Sequence, residues 1–170
     1  GLGYVLPTRN NAFAQYLPFV FGSADTALLE FTSSAMRVIV SDAVVARSGV
    51  SSTFANGAFT SDLTDWTDAD QSGSTSFFVT GGYLGLVGTR YAYAKRRQTV
   101  TVASTDANVE HGIAVVIDRG EVTFRVGSST GGDDYVAEKT LRPGNYSFGV
   151  TPRSNIYVEF SANTEYVSRV

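Results

Sequence analysis

The sequence predicts an all-β chain in two units, a short β-meander over residues 1–50 and a two-sheet β-sandwich over 54–170. Three observations point there. Large apolar residues alternate with small polar ones in short runs along most of the chain, the period of a half-buried strand. No segment of useful length carries the helical period, and no long internal repeat is present. Finally, Asn56-Gly57-Ala58-Phe59, followed by Leu63 and Trp66, joins a turn dipeptide, a core-type aromatic and the only tryptophan where a second unit should begin.

In the first unit, Leu17, Phe19 and Phe21 alternate with Pro18 and Val20 until Gly22-Ser23 breaks the run. Leu29 and Phe31 follow, then Ser33-Ser34. Met36, Val38 and Val40 next alternate with Arg37, Ile39 and Ser41, and Val44 and Val45 open a last short run. A helix from Asp25 to Met36 is the rival reading, with Asp25 as its N-cap. Thr26, Thr32, Ser33 and Ser34 weaken it, so strands are preferred. So small a meander cannot cover Leu17, Phe19, Phe21, Leu29 and Phe31 by itself. It should pack on the second unit, on flanking chain or on a neighbouring subunit. Residues 47–53 are small and polar and read as the linker.

In the second unit, Leu84 and Leu86 alternate with glycines, and Gln98, Val100 and Val102 with threonines. Val122, Phe124 and Val126 follow the same rule, as do Tyr146, Phe148 and Val150, and lastly Ile156, Val158 and Phe160. Residues 128–132 and Arg142-Pro143-Gly144-Asn145 supply turns. About eight such strands with glycines at their edges indicate a two-sheet sandwich of jelly-roll type.

Composition narrows the function classes. A chain of 170 residues with 43% hydrophobic and 17% charged content folds as one domain, with room for a smaller accessory piece. A net charge of −3 gives no electrostatic reason to expect nucleic acid. The absence of cysteine removes disulfides, thiolate nucleophiles and cysteine-held metals. No run approaches the roughly 18 apolar residues of a membrane span, so no membrane insertion is expected. The start at Gly1 and the stop at Arg169-Val170 in a strand-like context read as a piece of a longer polypeptide.

Two resemblances follow from particular strings. Asn56-Gly57-x-Phe59, Leu63-x-x-Trp66, Gly82-x-Leu84-x-Leu86, Gln98-x-Val100-x-Val102 and Ile156-x-Val158-x-Phe160 together resemble the CenC-type carbohydrate-binding jelly roll over residues 54–170. That resemblance implies a β-sandwich, a structural calcium in many members and a sugar cleft lined by aromatics in some. Tyr16-Leu17-Pro18-Phe19-Val20-Phe21, Ala27-Leu28-Leu29-Glu30-Phe31 and Met36-Arg37-Val38 are similar to a β-rich segment in tail proteins of short-tailed bacteriophages and prophages. The second resemblance implies a non-enzymatic virion component, homo-oligomeric in its assembly, whose jelly roll serves subunit contacts or attachment to a host-surface glycan. The alternative is an extracellular carbohydrate-binding module of a polysaccharide-degrading enzyme.

Candidate chemistry is sparse. Trp66 can stack on a sugar, but its place right after the first strand of the unit favours the core. Tyr91 and Tyr93 share a strand face, with Tyr83 nearby in sequence and Lys95-Arg96-Arg97 following. With Arg97 to pair a carboxylate they form the candidate glycan face, against the plainer reading of a solvated, charge-guarded edge strand. No cofactor is required. Asp133 and Asp134, in a glycine-rich loop, are the candidate ligands for a structural calcium. Asp62, Asp65, Asp68 and Asp70 are also dense but lack EF-hand spacing, and aspartates make turns as well. His111, the only histidine, has no partner in sequence for acid–base or zinc work and, at the start of an apolar strand, reads as an edge or satisfied polar residue. Gly127, Gly131 and Gly132 form no phosphate loop.

Overall fold

A computed structural model describes residues 7–20, 22, 26–33, 35–46 and 49–170. Phe21 and the start of the expected linker, 47–48, lie outside the described residues. The chain divides into Gly1–Arg47 and Ser48–Val170. Antiparallel strands dominate both units, and the only helical turn among the described residues is a short 3-10 turn at Arg9–Asn11.

The first unit is a meander of β1 (Gln15–Val20), β2 (Thr26–Thr32), β3 (Ala35–Val40) and β4 (Ala43–Val44), paired in that order. Registers Leu17↔Leu29, Leu29↔Val38 and Phe31↔Met36 put Leu17, Phe19, Leu29, Phe31, Met36, Val38 and Val40 on one face. The opposite face carries Tyr16, Glu30 and Arg37 in a row, through Tyr16↔Glu30 and Glu30↔Arg37. The Arg9–Asn11 segment covers this second face. The Arg9 amide donates to Glu30 Oε1 at 3.2 Å, and Arg37 Nη2 donates to the Pro7 carbonyl at 2.8 Å. Glu30 is thereby buried, held by Arg37 Nε at 2.8 Å and Nη2 at 2.7 Å and by the Tyr16 hydroxyl at 3.1 Å. Those donors, Arg37 first, keep its carboxyl below the ordinary carboxylate range. Among the described residues the apolar face has no such cover: Leu17 is 53% exposed, Met36 55% and Val40 41%.

The second unit holds ten strands among its described residues. One sheet orders β11 (Val136–Leu141), β10 (Val122–Gly127), β13 (Ile156–Ala162), β8 (Ala94–Val100) and β5 (Thr67–Asp68). The other combines β12 (Gly144–Val150) and β9 (His111–Ile117) with β14 (Ser168–Arg169), β7 (Tyr83–Val87) and β6 (Thr75–Val79). A bridge between Arg119 and Arg169 joins these two groups. The pairing is nested. β10 pairs with β11, β9 with β12, β8 with β13 and β7 with β14.

Phe124, Val122, Val126, Leu84, Leu86, Ile117 and Ile156 are wholly buried between the sheets. At about 25 cal/mol per Å2 of apolar area, this core is the main stabilising term of the unit. Gly127 is required here. A Cβ on it would collide with the backbone of Gly132, which folds onto β10. Strand β13 departs from the expected alternation. Glu159 on β13 is buried although it faces outward, because Arg97 and Arg125 from the flanking strands close over it.

The residues read as linker are partly pinned. Asp106 Oδ2 accepts four hydrogen bonds, from the amides and hydroxyls of Ser51 and Ser52, at 2.6–2.9 Å. These donors, Ser52 foremost, hold the Asp106 carboxyl far below the usual carboxylate range.

Candidate functional site

Two features of the second unit are candidate ligand sites: an apolar cleft at the edge of the core and an outward strand face. The cleft begins with Trp66. Its indole N–H donates to the Asn56 carbonyl at 3.1 Å, satisfying its one polar atom, so the ring can be buried. Phe59, Phe160 and Phe54 surround it at centroid distances of 5.2, 5.6 and 6.4 Å. The core reading of Trp66 therefore holds, and the Asn56-Gly57 turn serves as its anchor.

Beside this cluster lies a cavity of about 470 Å3, lined by Phe54, Phe59, Trp66, Tyr83 and Ile113 among other residues, with Gly81 and Gly82 at its rim. Gly81 and Gly82 have φ of 106° and 90°, a turn that β-branched or bulky residues would resist. The wall is aromatic and aliphatic, so the cleft suits apolar groups rather than charged ones. Sequence reading missed it. Most of its residues read as core or turn, and Trp66 and Tyr83 were separate in sequence, so nothing marked them as neighbours of one cavity.

The outward face carries the expected tyrosines. Ala92 and Ala94 are buried, so Tyr91 and Tyr93 point to solvent at 85% and 36% exposure. Arg90 lies over the Tyr91 ring at 5.6 Å and Lys95 over Tyr93 at 5.3 Å. Arg97 follows on the same face, but its guanidinium pairs with the buried Glu159. Arg125 holds the other Glu159 oxygen at 2.5 Å and also reaches Glu138 at 3.1 Å. Tyr91, Tyr93 and Arg97 thus share one face, while the charge of Arg97 is already committed.

The cationic run itself is split. Arg96 faces inward and ties Trp66, Asp68 and Ser76 together, through the Trp66 carbonyl at 3.0 Å, Asp68 at 3.1 Å and the Ser76 hydroxyl at 2.7 Å.

The aspartates act within their own loops. Asp134 accepts from the Ser128 amide at 2.8 Å, which lowers its carboxyl below the usual range, and Asp133 accepts from the Glu138 amide at 3.2 Å. Asp70 accepts from the Lys95 amide at 2.6 Å and from Ser76, and Asp62 accepts from the Thr64 amide at 2.9 Å. Among the described residues, no three His, Asp or Glu side chains converge as a metal cluster. His111 is buried rather than placed at an edge. Its Nδ1 lies 2.9 Å from the Val109 carbonyl, and its Nε2 has no hydrogen-bond partner among the described residues.

Compared with known proteins, the chain matches no family model, no curated sequence and no solved structure.

Proposed function

We propose that this chain is a non-enzymatic structural part of a phage or prophage tail. In this reading the meander is an assembly surface and the sandwich, read as a jelly roll, serves subunit contacts or attachment to a host surface. The observation that carries the reading is the apolar face of the meander, left uncovered among the described residues. A sheet exposing Leu17, Phe31, Met36 and Val40 together is costly in water and is at home against another subunit. Two further observations support it. The strings around Leu17, Leu29 and Met36 resemble tail-protein strands, and the nested pairing of β7 to β14 is the order a jelly roll needs.

A second reading draws on the fully presented Tyr91 ring, which suits a sugar face in an extracellular carbohydrate-binding module. With Arg97 occupied by Glu159, the stacking of two tyrosines would give single-site affinity nearer millimolar than micromolar, on the order of −4 kcal/mol. The coding context separates the two readings. Virion genes on both sides are expected from the first. A polysaccharide hydrolase domain in the same reading frame would overturn it in favour of the second.

A further inference from the structure

Asn56 and Gly57 form the only Asn-Gly pair in the sequence, and their reactive groups stand in opposite conditions. The Asn56 amide is caged. Its two Nδ2 hydrogens are shared among the Asp62 carbonyl at 3.0 Å, Asp62 Oδ1 at 3.1 Å and the Thr64 carbonyl at 3.1 Å. Its Oδ1 accepts from the Thr60 amide at 3.3 Å. The Gly57 amide is free: the residue is exposed, and its N–H makes no hydrogen bond among the described residues. A glycine nitrogen beside an asparagine is the least hindered nucleophile the backbone offers, because no Cβ shields it. Asparagine is itself among the thermally labile residues.

Asn56 also carries the seat of Trp66. With φ of 45° it opens a turn that the Phe59 amide closes on the Asn56 carbonyl at 3.3 Å. That same carbonyl receives the indole N–H of the buried Trp66 at 3.1 Å. Any change in the Asn56 side chain therefore reaches the core. A carboxylate there has no hydrogens to give to the three oxygens of Asp62 and Thr64, and its charge would meet that of Asp62. Rerouting the backbone through the side chain would go further. It would turn the Asn56 carbonyl into a free carboxylate and take it out of the turn.

We propose that Asn56-Gly57 is a self-modification site, where Asn56 converts to aspartate and isoaspartate with water as co-reactant and so unseats Trp66. The Gly57 nitrogen loses its proton to solvent base and attacks Asn56 Cγ. The N–Cγ bond forms, the Cγ–Nδ2 bond breaks, and Nδ2 takes up a proton and leaves as ammonia. Water then opens the cyclic imide, giving aspartate from one carbonyl and isoaspartate from the other, with no change of oxidation state. The bonds to Asp62 and Thr64 oppose the first step, because they fix the amide and are lost as Nδ2 departs. Local opening of residues 56–64 thus sets the rate. This assignment is independent of the tail reading.

The test holds the full chain at mildly alkaline pH and follows every asparagine by peptide mapping, with isoaspartate counted by enzymatic methylation. Conversion should centre on Asn56 and run about tenfold or more slower than in the urea-unfolded chain. The converted fraction should show red-shifted Trp66 fluorescence and a lower thermal midpoint. Asp62→Ala should speed conversion about fivefold or more in chains that still unfold cooperatively. Asp62→Asn keeps an acceptor oxygen and should stay within about twofold of the parent. Gly57→Ala should slow conversion about tenfold or more and preserve the fluorescence. Equal rates in the folded and unfolded chain, or conversion spread evenly over the other asparagines, would overturn the proposal. So would a converted chain with unchanged fluorescence and midpoint, or a folded Asp62→Ala chain that converts at the parent's rate.

Discussion

The two units use the same sequence device and reach opposite outcomes. Both alternate large apolar and small polar residues along short antiparallel strands. In the sandwich, the apolar faces of two sheets meet, so Phe124, Leu84 and Leu86 lose all contact with water. In the meander there is one sheet among the described residues, and the face they cover is the one holding the Glu30–Arg37 pair. Among the described residues the apolar side stays open. Alternation therefore specifies that a strand has an apolar face, but what covers that face is decided by a second sheet.

The sharpest way to break this contrast is to separate the units. Residues 49–170 expressed alone should unfold cooperatively near the midpoint of that unit in the full chain, while 1–47 alone should be insoluble or unfolded. Starting instead at residue 54 removes Ser51 and Ser52 and strips Asp106 of its four donors, so that fragment should melt lower than 49–170. A well-dispersed NMR spectrum from 1–47 alone would contradict the contrast.

Single truncations should repeat it on a smaller scale. Phe124→Ala removes a fully buried ring packed between Phe148 and Phe160 and should cost about 3–5 kcal/mol in denaturant unfolding. Met36→Ala, on the open face, should stay within about 0.5 kcal/mol of the parent at concentrations where the chain is monomeric. A comparable loss at both positions would mean that the meander face is covered after all.

Acid should act through the buried carboxylates of both units. Asp106 and Glu30 have folded pKa values depressed below an unfolded value of about 4. Their contribution is therefore complete above that value and is lost as pH falls through the folded pKa of each group. Urea midpoints measured from pH 6 downward should hold steady at first and then decline. Asp106→Asn should flatten the decline in the sandwich, and an unchanged acid slope in that variant would count against the serine cradle.

Much of the fold was legible in the sequence. The all-β class, the buried sets on β7, β10 and β13 and the core place of Trp66 follow from period and residue type. What escaped depended on partners distant in the chain. The burial of Glu159 needs Arg97 and Arg125 from two other strands, and the inward turn of Arg96 is set by the Phe160↔Arg96 register. The cleft was invisible because its walls come from segments far apart in the chain, most of whose residues look like core. The pinning of Ser51 and Ser52 could not be read either, since Asp106 is more than fifty residues away.

Sedimentation velocity on the full chain over a range of concentrations tests most directly whether the open face of the meander is an assembly surface. The account expects concentration-dependent self-association that Leu17→Asp combined with Met36→Asp reduces to monomer, with the unfolding midpoint of the sandwich unchanged. A chain that stays monomeric at every concentration, or one whose association survives both charges, would contradict it.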